Sequence, residues 1–283
     1  MTRCGSLVLA RLRPVCVAFA QIGGFLALGF ALDWVGLRLL PLPDAASARF
    51  AGRGAILAGA FFVSTLVATR LEGLTWQDFG WRPGRRATWF VVGAATGLGL
   101  AAIALAVVVP WSGVHLSVGA TRVSAAFALL LALSAAALFE ELVFRGAPLA
   151  LLARAVGRWP ATLAAAVGFG LAHLRNPNAT WFGTVNIALT AVLLSIAFWS
   201  RGGMPLAWGM HFGWNAALGL LFGAPVSGIA FGVAPLVYAA GLRPWVDGGA
   251  FGPEGGVAGT VAFAVGVAAL VRRRLAQPGT WLG

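Results

Sequence analysis

Phe139-Glu140-Glu141-Leu142-Val143-Phe144-Arg145 sets two adjacent carboxylates and an arginine inside an apolar run that begins near Val123 and continues past Leu151. The chain holds only eight acidic residues. A carboxylate at the centre of a bilayer costs about 2.5–3.5 kcal/mol on insertion scales, so a pair without a purpose would be hard to retain. Glu141 and Arg145, at i and i+4, share one face of a helix and can pair there. Glu140 then points roughly 100° away and is free to face another helix. An ionisable residue within a membrane is by default a functional-site hypothesis, and its candidate partners are His173, His211 and Asn215.

Composition supports a membrane setting for that stretch. Of 283 residues, 60% are hydrophobic and 10% charged, and the mean hydropathy is +0.88. A soluble domain carries about 25% charged residues, so the reading is a polytopic membrane protein. The net charge of +12 would point to nucleic acid in a soluble protein. Here it is explained by topology, since arginine collects in cytoplasmic loops. The partner is the lipid bilayer, and no nucleic acid is expected. All 20 basic residues are Arg, which reads as GC-rich codon usage and a bacterial source. Cys4 and Cys16 have no neighbours at metal spacing and make no disulfide framework. Arg3, Arg11 and Arg13 before an apolar run resemble a signal peptide. That run reaches about Leu32 without a small-residue cleavage site, so it reads as an uncleaved first span.

A crossing helix needs about 20 residues for roughly 30 Å of hydrocarbon. Eight apolar runs qualify, at about 15–36, 54–71, 88–110, 124–153, 160–175, 183–200, 204–222 and 257–272. The fold class expected is all-α, with about eight transmembrane helices. The stretch 226–240, broken by Pro235, reads as re-entrant or interfacial. This divides the chain into 1–121 with spans 1–3, 122–222 with spans 4–7, and 223–283 with an outer loop and a last helix. With the N-terminus inside, 13 Arg fall on the inner side and six on the outer. That asymmetry, with the triplet Arg272–Arg274, predicts a multi-pass protein of the cell membrane with both termini cytoplasmic.

Depth brings the polar residues together. Glu140 lies about 17 residues from the inner end of span 4, roughly 25 Å at 1.5 Å per residue. His173 is roughly 20 Å into span 5, and His211 and Asn215 are roughly 10 and 16 Å into span 7. Phe169 and His173, like His211 and Asn215, share a face at i and i+4. His115 lies in an outer loop without an assigned role, and Glu254 reads as a loop or cap residue. A carboxylate and an imidazole on a common cavity can hold and deprotonate a water, while a His-Asn face can stabilise an oxyanion. These parts suit hydrolysis of a peptide bond. Alternatively Glu140, His173 and His211 could bind zinc, since two His, a Glu and a water form a known catalytic set. No His-Glu-x-x-His occurs, and no serine or cysteine nucleophile lies at matching depth.

Glu140-Glu141-x-x-x-Arg145, Phe169-x-x-x-His173 and His211-x-x-x-Asn215 resemble, in order and spacing, the three motifs of the CPBP intramembrane protease family. That family includes the type II CAAX prenyl endopeptidases and the bacteriocin-processing proteins. Phe144-Arg145-Gly146 and Phe251-Gly252-Pro253-Glu254 are similar to its bacterial branch. The resemblance, over about 122–218, implies an eight-helix membrane endopeptidase. Glu140 and His173 would activate water, His211 and Asn215 would form the oxyanion site, and Glu141 with Arg145 would support the first motif. It implies a membrane-associated peptide or protein substrate. It leaves metal-independent and zinc-dependent chemistry open, with no cofactor preferred and zinc the alternative. A non-proteolytic immunity or scaffold protein and a proton-coupled transporter are the competing functions.

Overall fold

The computed structural model describes residues 2–44, 46–119 and 123–275. Hydrocarbon offers no partners to backbone N–H and C=O groups, so apolar runs satisfy them internally as helices. These are α1 (Thr2–Leu39), α2 (Ala46–Leu71), α3 (Arg86–Ser112), α4 (Val123–Arg145), α5 (Ala147–Val156), α6 (Arg158–Ala172), α7 (Trp181–Trp199), α8 (Gly203–Ala216), the single turn α9 (Pro244–Asp247), and α10 (Val257–Leu275). The chain is an all-α polytopic membrane protein. The expected boundary at 121/122 and the end of the chain at 276–283 lie outside the described residues.

The expected crossing helices number about eight. Five stretches are long and apolar enough among the described residues: Leu12–Leu39, Ala48–Leu71, Arg86–Ser112, Val123–Val156 and Trp181–Trp199. Helix α6, of 15 residues, reaches only about 22 Å, and α8, of 14, is lengthened by the π-turn that follows it. The apolar part of α10 stops at Arg272. The expected single helix over 124–153 is also two. It breaks at Gly146, where a Cβ would sit 2.4 Å from the Leu142 carbonyl oxygen. Pro148 then opens α5 in its first turn, because it lacks an N–H and its ring clashes with the carbonyl four residues back. The break leaves Glu140, Glu141 and Arg145 in the last turns of α4. Helix α2 begins earlier than expected, which places Arg53 on the helix, where it pairs with Asp33 of α1 through Nη2–Oδ2 at 2.8 Å.

The apolar stretch 226–240 does not cross. Part of it forms β2 (Leu236–Ala239), antiparallel to β1 (His115–Val118), with His115 opposite Ala239. This short ribbon ties the end of α3 to the segment that follows α8.

Helix α8 is seated by a mutual approach of glycines. Gly93 and Gly97 of α3 face Gly209 and Gly213 of α8. A Cβ on Gly97 would lie 2.1 Å from Met210 O, and one on Gly213 2.1 Å from Ala94 O. Two small-x-x-x-small faces let the backbones touch, as in tightly packed membrane helix pairs. His211 sits two residues on from Gly209, roughly 200° round the helix, and so turns away from α3 toward α4. Trp208 supports that side, donating its indole N–H to Ser134 O at 2.9 Å. Beyond Ala216 the helix widens into a π-turn, Ala217–Phe222.

Candidate active site

Three chain segments converge on Glu140. The first is the end of α4. Glu141 and Arg145 are fully buried there and joined at 2.8 Å, as their spacing predicts. Arg145 also lies over the Phe169 ring, 4.5 Å from its centroid. That contact offsets part of the cost of burying a guanidinium, two of whose nitrogens, Nε and Nη2, have no hydrogen-bond partner.

The second segment is the end of α6. The α-helix stops at Ala172, and His173 opens a 3₁₀ turn, His173–Arg175, rather than continuing the expected span. Because the helix ends, the backbone N–H of His173 turns to Gly170 O and Leu171 O. The Phe169 carbonyl is taken instead by the imidazole, Nδ1 to O at 2.8 Å. A carbonyl only accepts, so Nδ1 carries the proton and neutral His173 presents a lone pair at Nε2. This is the physical content of Phe169-x-x-x-His173: position 169 supplies the carbonyl that orients the imidazole and the ring that packs on it, 4.5 Å between centroids.

The third segment is α8. His211 Nδ1 lies 2.9 Å from Glu141 Oε1, the same oxygen that accepts from Arg145. An ion-paired carboxylate only accepts, so His211 also donates from Nδ1, leaving a lone pair at Nε2 when neutral. Both Nε2 atoms then face one oxygen. Glu140 Oε2 is 3.8 Å from His173 Nε2 and 3.6 Å from His211 Nε2, and this buried oxygen has no hydrogen-bond partner. Three acceptors pointed at one another with no hydrogen among them form a stable set only around a proton, a water or a cation. Asn215 is buried one turn beyond His211. Its side chain makes no hydrogen bond among the described residues.

The donor chemistry suits zinc, including the habit of a zinc-bound histidine to donate its other N–H to a carboxylate or carbonyl. The separations from Glu140 Oε2, 3.8 and 3.6 Å, are wider than those of a closed site. Ligands of a tetrahedral site with bonds of about 2.0–2.1 Å stand ~3.3 Å apart, and no three His, Cys, Asp or Glu side chains meet as a metal-holding group among the described residues.

A small cavity opens on the other side of the two histidines, lined also by Thr190, Ser227 and Glu254. It admits the centre of a water-sized sphere over about 20 Å³, enough for a single water. Glu254 is the residue that sequence reading understated. It is buried, accepting from Trp214 Nε1 at 2.7 Å and from Ser227 N and Oγ at 2.6 and 2.7 Å. Trp214 follows His211 by three residues on α8, so Glu254 braces the helix that carries His211. Asn186 of α7 holds the same loop, donating to Glu254 O and Gly256 O at 2.8 Å. The available signal was the rarity of acidic residues in so apolar a chain. His115 stays exposed on β1, away from the site.

Residues 121–217 match the family model of type II CAAX prenyl endopeptidases, Rce1-like. Over that stretch, about a third of the chain, the protein is similar to the CAAX-type intramembrane proteases. No curated protein and no solved structure matches the chain. The matched segment runs from the start of α4 to the end of α8 and so contains all three motifs. This similarity and the apolar helices together support a multi-pass membrane protein.

Proposed function

We propose that this protein hydrolyses a peptide bond of a membrane-associated peptide or protein, using a water activated by Glu140 and His173. The observation that supports this reading is the convergence of His173 Nε2, His211 Nε2 and the unpartnered Glu140 Oε2. A water placed there donates one hydrogen to Glu140 Oε2 and the other to an imidazole lone pair, which leaves its own lone pair free for a carbonyl carbon. On attack, Glu140 takes the proton. It returns that proton to the amine nitrogen as the C–N bond breaks, so the site ends as it began. His211 and Asn215 are proposed for the oxyanion. For that role His211 must carry a second proton on Nε2, because its Nδ1–H is held by Glu141. Asn215 has an amide N–H₂ that no hydrogen-bond acceptor among the described residues engages. Glu141 and Arg145 act as supports, since their pairing orients His211.

The metal-free course is preferred. In the zinc alternative Glu140, His173 and His211 would close in as ligands, and the metal would lower the pKa of the bound water. The similarity to the CAAX-type model does not extend the proposal to prenylated substrates. The cytoplasmic placement of both termini rests on the arginine asymmetry, and the bacterial source on the all-arginine basic composition.

Membrane proteomics of a strain carrying Glu140→Gln against wild type tests the function. A precursor that accumulates in the variant and is cleaved in wild type is expected. Identical proteomes with a retained phenotype would favour the scaffold reading, and proton flux in proteoliposomes would favour a transporter.

A further inference from the structure

At the arginine-rich end of the helical bundle, away from the catalytic groups, the loop before α3 meets the end of α5, the start of α6 and the end of α7. They enclose a recess of about 220 Å³. Its charged lining is Arg82, Arg154, Arg158 and Asp78, and its aromatic lining is Phe198 and Trp199. Three guanidinium groups thus face a single carboxylate.

Each arginine is anchored at the recess by a neighbouring group. Arg82 donates from Nη1 to the Ser200 carbonyl at 2.5 Å. Arg154 donates to Glu72 O at 3.3 Å and pairs with Asp78 Oδ2 at 3.3 Å. The Arg158 guanidinium lies 5.2 Å over the Trp199 ring, and that ring is fixed by a hydrogen bond from Nε1 to Thr162 Oγ1 at 3.0 Å. Burial, together with the neighbouring Arg158, pulls the Arg82 guanidinium below its ordinary value. Like charges held this close are relieved by an anion. A guanidinium has five donors, so Arg82 and Arg154 retain N–H groups for one.

The surroundings favour a lipid as the source of that anion. Ala150 and Ala153 of α5 continue the recess toward the apolar part of the bundle, and tryptophan at a helix end marks headgroup depth. Basic recesses between membrane helices bind anionic headgroups, and arginine forks match phosphate geometry. We propose that this recess binds the phosphodiester headgroup of an anionic membrane lipid, held by Arg82, Arg154 and Arg158.

The test uses the full-length protein purified in neutral detergent. Its melting temperature is followed on titration with phosphatidylglycerol, with phosphatidylcholine of the same acyl chains, and with inorganic phosphate. Phosphatidylglycerol should raise the melting temperature saturably, and the other two should not. The double variant Arg154→Gln/Arg158→Gln should bind phosphatidylglycerol roughly 10–30-fold more weakly. Arg154→Lys/Arg158→Lys should keep part of the shift, which separates lost charge from lost fold. Native mass spectrometry of the wild type gives a readout that needs no variant, and it should show phosphatidylglycerol retained in preference to phosphatidylcholine. Equal responses to the two lipids, or an undiminished response in the glutamine variant, would overturn the proposal. A response to inorganic phosphate equal to that of phosphatidylglycerol would overturn the assignment to a lipid.

Discussion

Two of the regions that bury carboxylate oxygens satisfy them differently. In the glycine-rich segment after β2, every side-chain carboxylate oxygen has a donor. Asp247 accepts from Ser112 Oγ and Gly241 N through Oδ2 and from Gly249 N through Oδ1. Glu254 accepts from Trp214 and Ser227. At the end of α4, Glu141 Oε1 is used twice while its Oε2 has no partner, and Glu140 Oε2 has none either. A fully partnered buried carboxylate acts as a joint, because its acceptors are spent on the chain's own donors. A buried acceptor left over calls for an explanation, and the two imidazole Nε2 atoms facing the same oxygen supply one.

The largest expected effect of breaking this contrast is at the ion pair. Glu141→Gln or Arg145→Ala strands a buried charge, at about 3–5 kcal/mol, so membrane abundance and detergent melting temperature should both fall sharply. Next comes Asn215→Ala, which should leave the fold intact and slow cleavage by roughly 10²–10³-fold, the usual cost of one oxyanion donor. A rate at background in that variant would move Asn215 from charge stabilisation to an essential role. Glu254→Gln is smaller again. Its amide would set a donor against the donors of Trp214 or Ser227, at about 1–3 kcal/mol. A lowered melting temperature with activity per folded molecule largely kept would confirm the joint.

The smallest effect comes from a carboxylate on the surface. Burial would raise the pKa of Asp78, but the backbone N–H and hydroxyl of Thr75, with Arg154, outweigh it and hold it below its ordinary value. A group whose pKa is lowered on folding stabilises above its unfolded value, about 3.9, and loses that contribution as pH falls through the folded value. Wild type and Asp78→Asn should therefore differ in melting temperature at pH 5 and converge below about pH 4. The gap should stay within about 0.5 kcal/mol, because the group is partly exposed.

Much of this was legible in the sequence, for identifiable reasons. Long apolar runs placed α2, α3 and α7 near their observed positions, because hydrocarbon demands helices of a given length. The i,i+4 spacing identified Glu141 and Arg145 as a pair and left Glu140 over. Features that depend on a partner elsewhere in the chain were harder to read. The break at Gly146 was signalled only by Gly-Ala-Pro inside an apolar run, and the end of α6 by Asn176-Pro177-Asn178 just beyond it. The two glycine faces of α3 and α8 are visible as spacings, but nothing in one sequence says that they touch. Strands of four residues carry too little alternation to be read. Glu254 looked like a cap because Trp214 and Ser227, which occupy its oxygens, lie 40 and 27 residues away.

The central claim is that the unpartnered Glu140 performs chemistry while the paired Glu141 holds structure. The most direct measurement compares Glu140→Gln with Glu141→Gln, scoring membrane abundance and accumulated precursor in the same cells. Glu140→Gln should stand at or above wild-type abundance, since neutralising a carboxylate whose Oε2 is buried without a partner relieves desolvation, while its precursor accumulates fully. Glu141→Gln should lose abundance first. Wild-type processing by Glu140→Gln, or a loss of abundance in it as deep as in Glu141→Gln, would contradict the claim.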